Sequence, residues 1–191
     1  MSRRNASAQD PLPERWLFSD ERVDVLAAAR ALPPGSGVIF RHYKLPPKDR
    51  AAMLARLRSV AAERGLLVVV AGPVPDGGED LPRHANRYAM AARSIAAPLT
   101  AAAHDRSELR RAERMGTRLA FLSPVYETAS HPGQEPLGPL GFRTLARSAR
   151  IPVAALGGMN DVRFAKLRAH GAVAWGAISA LRPGEGVSAD R

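Results

Sequence analysis

The sequence predicts an α/β chain whose strands pair in parallel, and three observations carry that prediction. Short apolar runs alternate with longer amphipathic ones along the 191 residues. Most of the apolar runs are continuous, as strands covered on both faces must be. Each intervening segment has room for one helix, and strand–helix–strand units of that size require parallel pairing with right-handed crossovers. These features leave two closures open, a barrel and an open doubly wound sheet.

Strands are expected at residues 15–19, 37–42, 66–71, 98–104, 118–125, 152–157 and 173–178. Leu66-Leu67-Val68-Val69-Val70 is the clearest of them. Helices are expected at 21–31, 48–64, 106–115, 142–150 and 162–170. In 48–64, Met53, Leu54, Leu57, Val60 and Ala61 recur at three- and four-residue steps and leave Arg50, Arg56, Arg58 and Arg64 to solvent. Gly65 stands where a helix C-terminus favours glycine. Asp105 and Asp161 are placed to begin the helices that follow them. One stretch breaks the rhythm: residues 72–84, rich in Gly and Pro, offer no helix after the third strand. The third unit is therefore expected to be shortened or irregular, with a short fourth strand near 79–82. Residues 1–14 and 183–191 read as tails around a single domain at 15–182.

Composition narrows the function classes. No apolar run approaches the ~18 residues of a membrane span. The basic start leads into Asp10, Pro11 and Pro13 instead of the apolar segment of a secretory signal, so a cytoplasmic location is expected. With no cysteine, disulfides and thiolate metal sites are excluded. The net charge of +10 invites a nucleic-acid reading. Against it, arginines interleave with Glu63, Glu108 and Glu113 along helix faces, and the few aromatics form no base-stacking platform. No nucleic-acid or membrane partner is expected. The charge also suits an anionic small-molecule substrate.

Polar residues follow three of the expected strands, where a barrel places its working groups. Gly157 and Gly158 sit between a strand and a helix N-terminus, a setting that suits a phosphate. An ordinary tight turn would look the same. The final strand runs into Ser179, and loops after the last two strands of a barrel often share a phosphate. The segment 123–133 is a polar loop in which Thr128, Ser130 and His131 are candidate donors to phosphate oxygens. His104, beyond three alanines, is placed either to exchange protons with a ligand or to cap a helix. No HExxH, GxSxG or GxxxxGK[ST] pattern occurs.

Three segments in order resemble one family. They are AAAHDRSELRRAERMG, SPVYETASHP, and IPVAALGGMNDVRFAKLRAHGAVAWGAISAL. The chain is similar over roughly residues 16–181 to the thiamine phosphate synthase/TenI family. That resemblance implies a compact (β/α)8 TIM-type barrel with a site for a thiazole phosphate. It implies that Gly157, Gly158 and Ser179 hold the phosphate, with Thr128 and Ser130 lining the loop beside it. His104 falls where the tautomerase branch carries its proton-transfer histidine. After the second strand, Arg41 and Lys44 are what remains of the family's basic run for the pyrimidine diphosphate. The acidic magnesium ligands are replaced by Ala71-Gly72-Pro73 and Leu81-Pro82-Arg83, and His131 replaces a lysine.

No cofactor is expected unless synthase chemistry is retained, when Mg²⁺ would be needed. The expected partner is a phosphorylated thiazole-type small molecule, and a homo-oligomer is left open. The resemblance implies either coupling of that phosphate to the hydroxymethylpyrimidine diphosphate or metal-free tautomerisation of a thiazole, the second favoured by the degenerate magnesium site. A non-catalytic binder of a phosphorylated small molecule is the alternative.

Overall fold

In a computed structural model, described over residues 11–92, 95–128, 133–178 and 181, eight parallel strands close into a barrel in sequence order. The strands are β1 (Arg15–Phe18), β2 (Gly37–Phe40), β3 (Leu67–Ala71), β4 (Arg83–Ala85), β5 (Thr100–Ala103), β6 (Leu119–Leu122), β7 (Val153–Leu156) and β8 (Ala172–Ala177). Pairing of β1 with both β2 and β8 closes the ring, which decides between the two closures left open by the residue pattern. The helices are α1 (Val25–Ala31), α2 (Pro47–Arg64), α3 (Arg87–Ala92), α4 (Arg106–Arg114), α5 (Gly138–Ser148) and α6 (Asp161–Arg168).

Strand alternation sorts side chains into two layers. Trp16, Phe18, Ile39, Val69, Leu119, Phe121, Ala154 and Ala174 fill the barrel interior. Phe121 meets Trp16 and Phe18 edge-on, with ring centroids 5.5 and 4.8 Å apart. The alternate residues Leu17, Val38, Phe40, Val68 and Val70 face outward onto α1 and α2. A barrel strand thus buries both faces, the physical reason its sequence reads as unbroken apolar residues.

Helix ends follow local chemistry. Asp24, Asp105 and Asn160 each accept backbone N–H groups from the turn they open. Gly65 takes the left-handed conformation at φ 64° that ends α2. Several expected boundaries move. Helix α1 begins at Val25 after its Asp24 cap, α5 starts at Gly138, and Asn160 caps α6 with Asp161 as its first residue. The third unit has no helix between β3 and β4, as the Gly/Pro-rich stretch required. The fourth strand is Arg83–Ala85 rather than 79–82, because Gly78, Leu81 and Pro75 form turns ahead of it.

One expectation about α2 is overturned. Arg50 is 5% exposed, and its guanidinium donates to the carbonyls of Arg41, Ala71 and Pro73. It lies over the ring of Phe40. Buried carbonyls at the strand ends need donors, and a long cationic side chain from the neighbouring helix supplies several at once.

Candidate active site at the strand C-termini

The candidate phosphate end is built by β7 and β8. Leu156 pairs with Gly176, so the turn at Gly157 and Gly158 leaves the barrel beside Ala177 and Ile178. Both glycines have positive φ, 90° and 62°. Their backbone freedom serves a close approach, and the approaching group is the loop after β6. A Cβ on Gly157 would stand 2.9 Å from Pro124 Cα, and one on Gly158 would stand 2.5 Å from the Glu127 carbonyl oxygen. Val125 N–H donates to Leu156 O at 2.9 Å, and Tyr126 N–H donates to Gly157 O at 3.1 Å. The two polar loops singled out in the sequence therefore lie against each other. Thr128 belongs to the second of them, while Ser130, His131 and Ser179 lie outside the described residues.

Arg163, one turn into α6, was not singled out in the sequence. Its guanidinium donates to Gly158 O at 2.6 Å and lies 4.7 Å above the Tyr126 ring. It ties the turn to the loop and places a cation beside the helix N-terminus. Its position three residues after the Asn160 cap was the available signal.

His104 follows β5 directly, two strands round the barrel from β7. Its Nδ1 is 2.7 Å from Glu108 Oε2, and the same oxygen accepts the His104 backbone N–H at 2.9 Å. Glu108 is almost wholly buried, while the His104 side chain is 22% exposed. Asp105 reciprocates by accepting the Glu108 N–H at 2.9 Å. Glu108 is the second residue that sequence reasoning missed. The signal was present: an acid three residues after an N-cap aspartate reaches back to the start of the helix.

Arg41, one residue beyond β2, packs 5.6 Å over the Phe18 ring. Its Nε donates to Ser19 O at 2.7 Å and its Nη2 to Asp20 Oδ2 at 3.3 Å. Burial lowers its pKa from the usual arginine value. The hydrogen bond from Arg22 holds the Asp20 carboxyl down at about 2. His42 beside it has φ 35°, with Nδ1 2.9 Å from Ser19 Oγ and its ring stacked on Phe40. Lys44 is exposed, and its backbone N–H donates to Glu21.

His84 of β4 is 3% exposed, near Phe18 and Phe121, with Nδ1 2.8 Å from Thr100 Oγ1. Burial, with Arg41 nearby, drives its pKa down to about 3.

A divalent cation bound through carboxylates does not fit the end of β3. Arg50 donates to Ala71 O and Pro73 O, and Arg83 donates to Gly72 O. Guanidinium groups thus take the backbone oxygens there. Asp80 pairs with Arg58, and Glu79 takes the Gly77 N–H on the surface. Among the described residues, no three His, Asp or Glu side chains converge as a ligand set. No helix among them is long and apolar enough to cross a membrane.

A closed ring of eight parallel strands with helices outside it defines the class of TIM-type (β/α)8 barrels. Residues 16–181 match the family described as thiamine monophosphate synthase, and the chain belongs to that family. The bifunctional thiamine biosynthesis protein ThiM/ThiE of Symbiobacterium thermophilum is 34% identical over 171 residues, covering 83% of this chain and 35% of that protein. The thiamine-phosphate synthase of Methanosarcina barkeri is 31% identical over 116 residues, 60% of this chain and 51% of that one. The chain thus spans roughly a third to a half of these relatives. In fold it is similar to the Pyrococcus furiosus thiamine phosphate pyrophosphorylase, with TM-score 0.75, 22% identity, and 90% and 89% of the two chains covered. FabK of Thermotoga maritima shares the barrel at TM-score 0.66 and 19% identity, over 88% of this chain and 58% of that one.

Proposed function

We propose that this member of a thiamin-biosynthesis family binds a thiazole-type phosphate against Gly157 and Gly158 and moves a proton on it without a metal. The observation that supports the reading is that Arg50 and Arg83 donate to the backbone oxygens at the end of β3. A diphosphate leaving group needs its charge neutralised, ordinarily by a divalent ion, and among the described residues no three His, Asp or Glu side chains converge to hold one. Proton transfer needs only a base within reach of the substrate. His104 is a partly exposed imidazole at a strand C-terminus with one nitrogen already held. It takes a proton from one substrate atom and returns it at another, so the imidazole ends as it began.

The adjoining ends of β7 and β8 support the phosphate assignment, with Thr128, Ser130, His131 and Ser179 as further donors. Arg41 is assigned to a second anionic group of the ligand. A second reading, coupling to the hydroxymethylpyrimidine diphosphate, is favoured by the family match and by relatives named as thiamine-phosphate synthases.

One experiment separates them. Purified protein is given both coupling substrates, with Mg²⁺ or with EDTA, and separately a thiazole carboxylate phosphate. EDTA-insensitive isomerisation and no thiamin phosphate is the expected result. Thiamin phosphate formation that EDTA abolishes overturns the proposal. Tight binding of the phosphate with neither product would identify a non-catalytic binder.

A further inference from the structure

We infer that Glu108, braced by Arg87, is the positioning residue for His104 and fixes which ring nitrogen carries the proton. This rests on His104 being the proton carrier proposed above.

Three elements meet here. His104 is the first residue after β5, Glu108 lies in the first turn of α4, and Arg87 opens α3. Glu108 Oε2 takes both the backbone N–H and Nδ1 of His104, while Oε1 faces Arg87 Nε at 3.6 Å. A carboxylate oxygen accepts hydrogen bonds and has none to give. At 2.7 Å from it, Nδ1 must carry the hydrogen, so in the neutral ring the lone pair is on Nε2. A general base needs its lone pair on the nitrogen that meets the substrate. Helix capping alone explains less: it needs the Oε2 bond to the backbone N–H, not a second bond to the ring. The Arg87 guanidinium is mostly exposed, so its attraction is screened, and its role is to keep the buried carboxylate turned toward the ring. The arrangement is a carboxylate–imidazole pair of the kind that orients catalytic histidines on unrelated folds.

The test reads the ring nitrogens directly. Protein labelled with ¹⁵N in its histidine rings is compared as wild type, Glu108→Gln and Glu108→Ala, with His104 assigned by its loss in His104→Gln. Wild type is expected to show the neutral His104 ring with Nδ1 protonated and Nε2 unprotonated, and Glu108→Ala to shift toward the opposite tautomer. The isomerisation kcat should fall ~10–100-fold in Glu108→Ala at nearly constant KM, a range typical of lost orienting partners. Glu108→Gln keeps the shape of the cap and guards against a variant that fails to fold. A wild-type His104 protonated at Nε2, or a tautomer unmoved in both variants, overturns the inference. Should wild type turn over no thiazole substrate, the reading of the function fails, and the nitrogen signals still decide the role of Glu108.

Discussion

Gly158 lies so close to Glu127 that a single added carbon would stand 2.5 Å from the Glu127 carbonyl oxygen. The glycine also has φ 62°, where side chains are disfavoured. The turn at the end of β7 is thus shaped by the loop it supports.

Gly158→Ala is therefore expected to lose affinity for phosphate esters and to lower the melting temperature. The left-handed backbone alone costs about 1–2 kcal/mol, and the clash adds to it. Gly35→Ala is the control, since Gly35 has φ 80° with nothing within 4 Å of a Cβ. It should lose stability from the backbone alone and keep full binding. Thermal unfolding and calorimetry with thiazole phosphate measure both. Equal loss of binding in the two variants would remove the turn from the site.

His104→Gln is expected to reduce isomerisation about 10²–10⁴-fold, the usual contribution of a positioned acid–base group. Binding of the phosphate ester should stay within a few-fold of wild type, because the assigned cup lies two strands away. A variant with unchanged kcat would assign His104 to capping.

Acid should destabilise the barrel through His84. Its folded pKa of about 3 lies below the ordinary histidine value of 6.5, so the unfolded chain binds the extra proton. Stability is full above about pH 6.5 and declines by up to ~1.4 kcal/mol per pH unit as pH falls toward 3. Burial also lowers the His42 pKa, so some slope remains without His84. Denaturant titrations of wild type and His84→Gln between pH 4 and 7 should show the shallower slope in the variant. Identical slopes would mean that the imidazole is hydrated in the folded barrel.

Arg50→Met should cost about 2–4 kcal/mol, since it leaves the buried carbonyls of Ala71 and Arg41 without donors. Mg²⁺ or EDTA should change neither the melting temperature nor phosphate-ester affinity of wild type. A Mg²⁺-dependent rise in either would show that carboxylates converge on binding and would favour the coupling reaction.

Much of the fold was legible because local patterns and long-range burial agree. The unbroken apolar run ending at Val70 announces a strand covered twice, and Gly65 and Asp105 punctuate their helices where backbone geometry and unpaired N–H groups demand. A short fourth strand was expected but placed a few residues early, and the six-residue α3 was not expected, both being too short to show a period. Arg50 reads as a solvent-facing residue at its helical position, and only the neighbouring strand ends explain its burial.

The sequence by itself determined which residue types follow which strand, and with them the family, the glycine turn and the candidate histidine. Tertiary structure alone decided that the ring closes β8 onto β1, and that the loop after β6 rests on Gly157 and Gly158. It also decided that Glu108 meets the His104 ring and that guanidiniums cap the end of β3. Composition cannot carry such facts: each depends on distances between groups from separate elements, which exist only once the chain has closed.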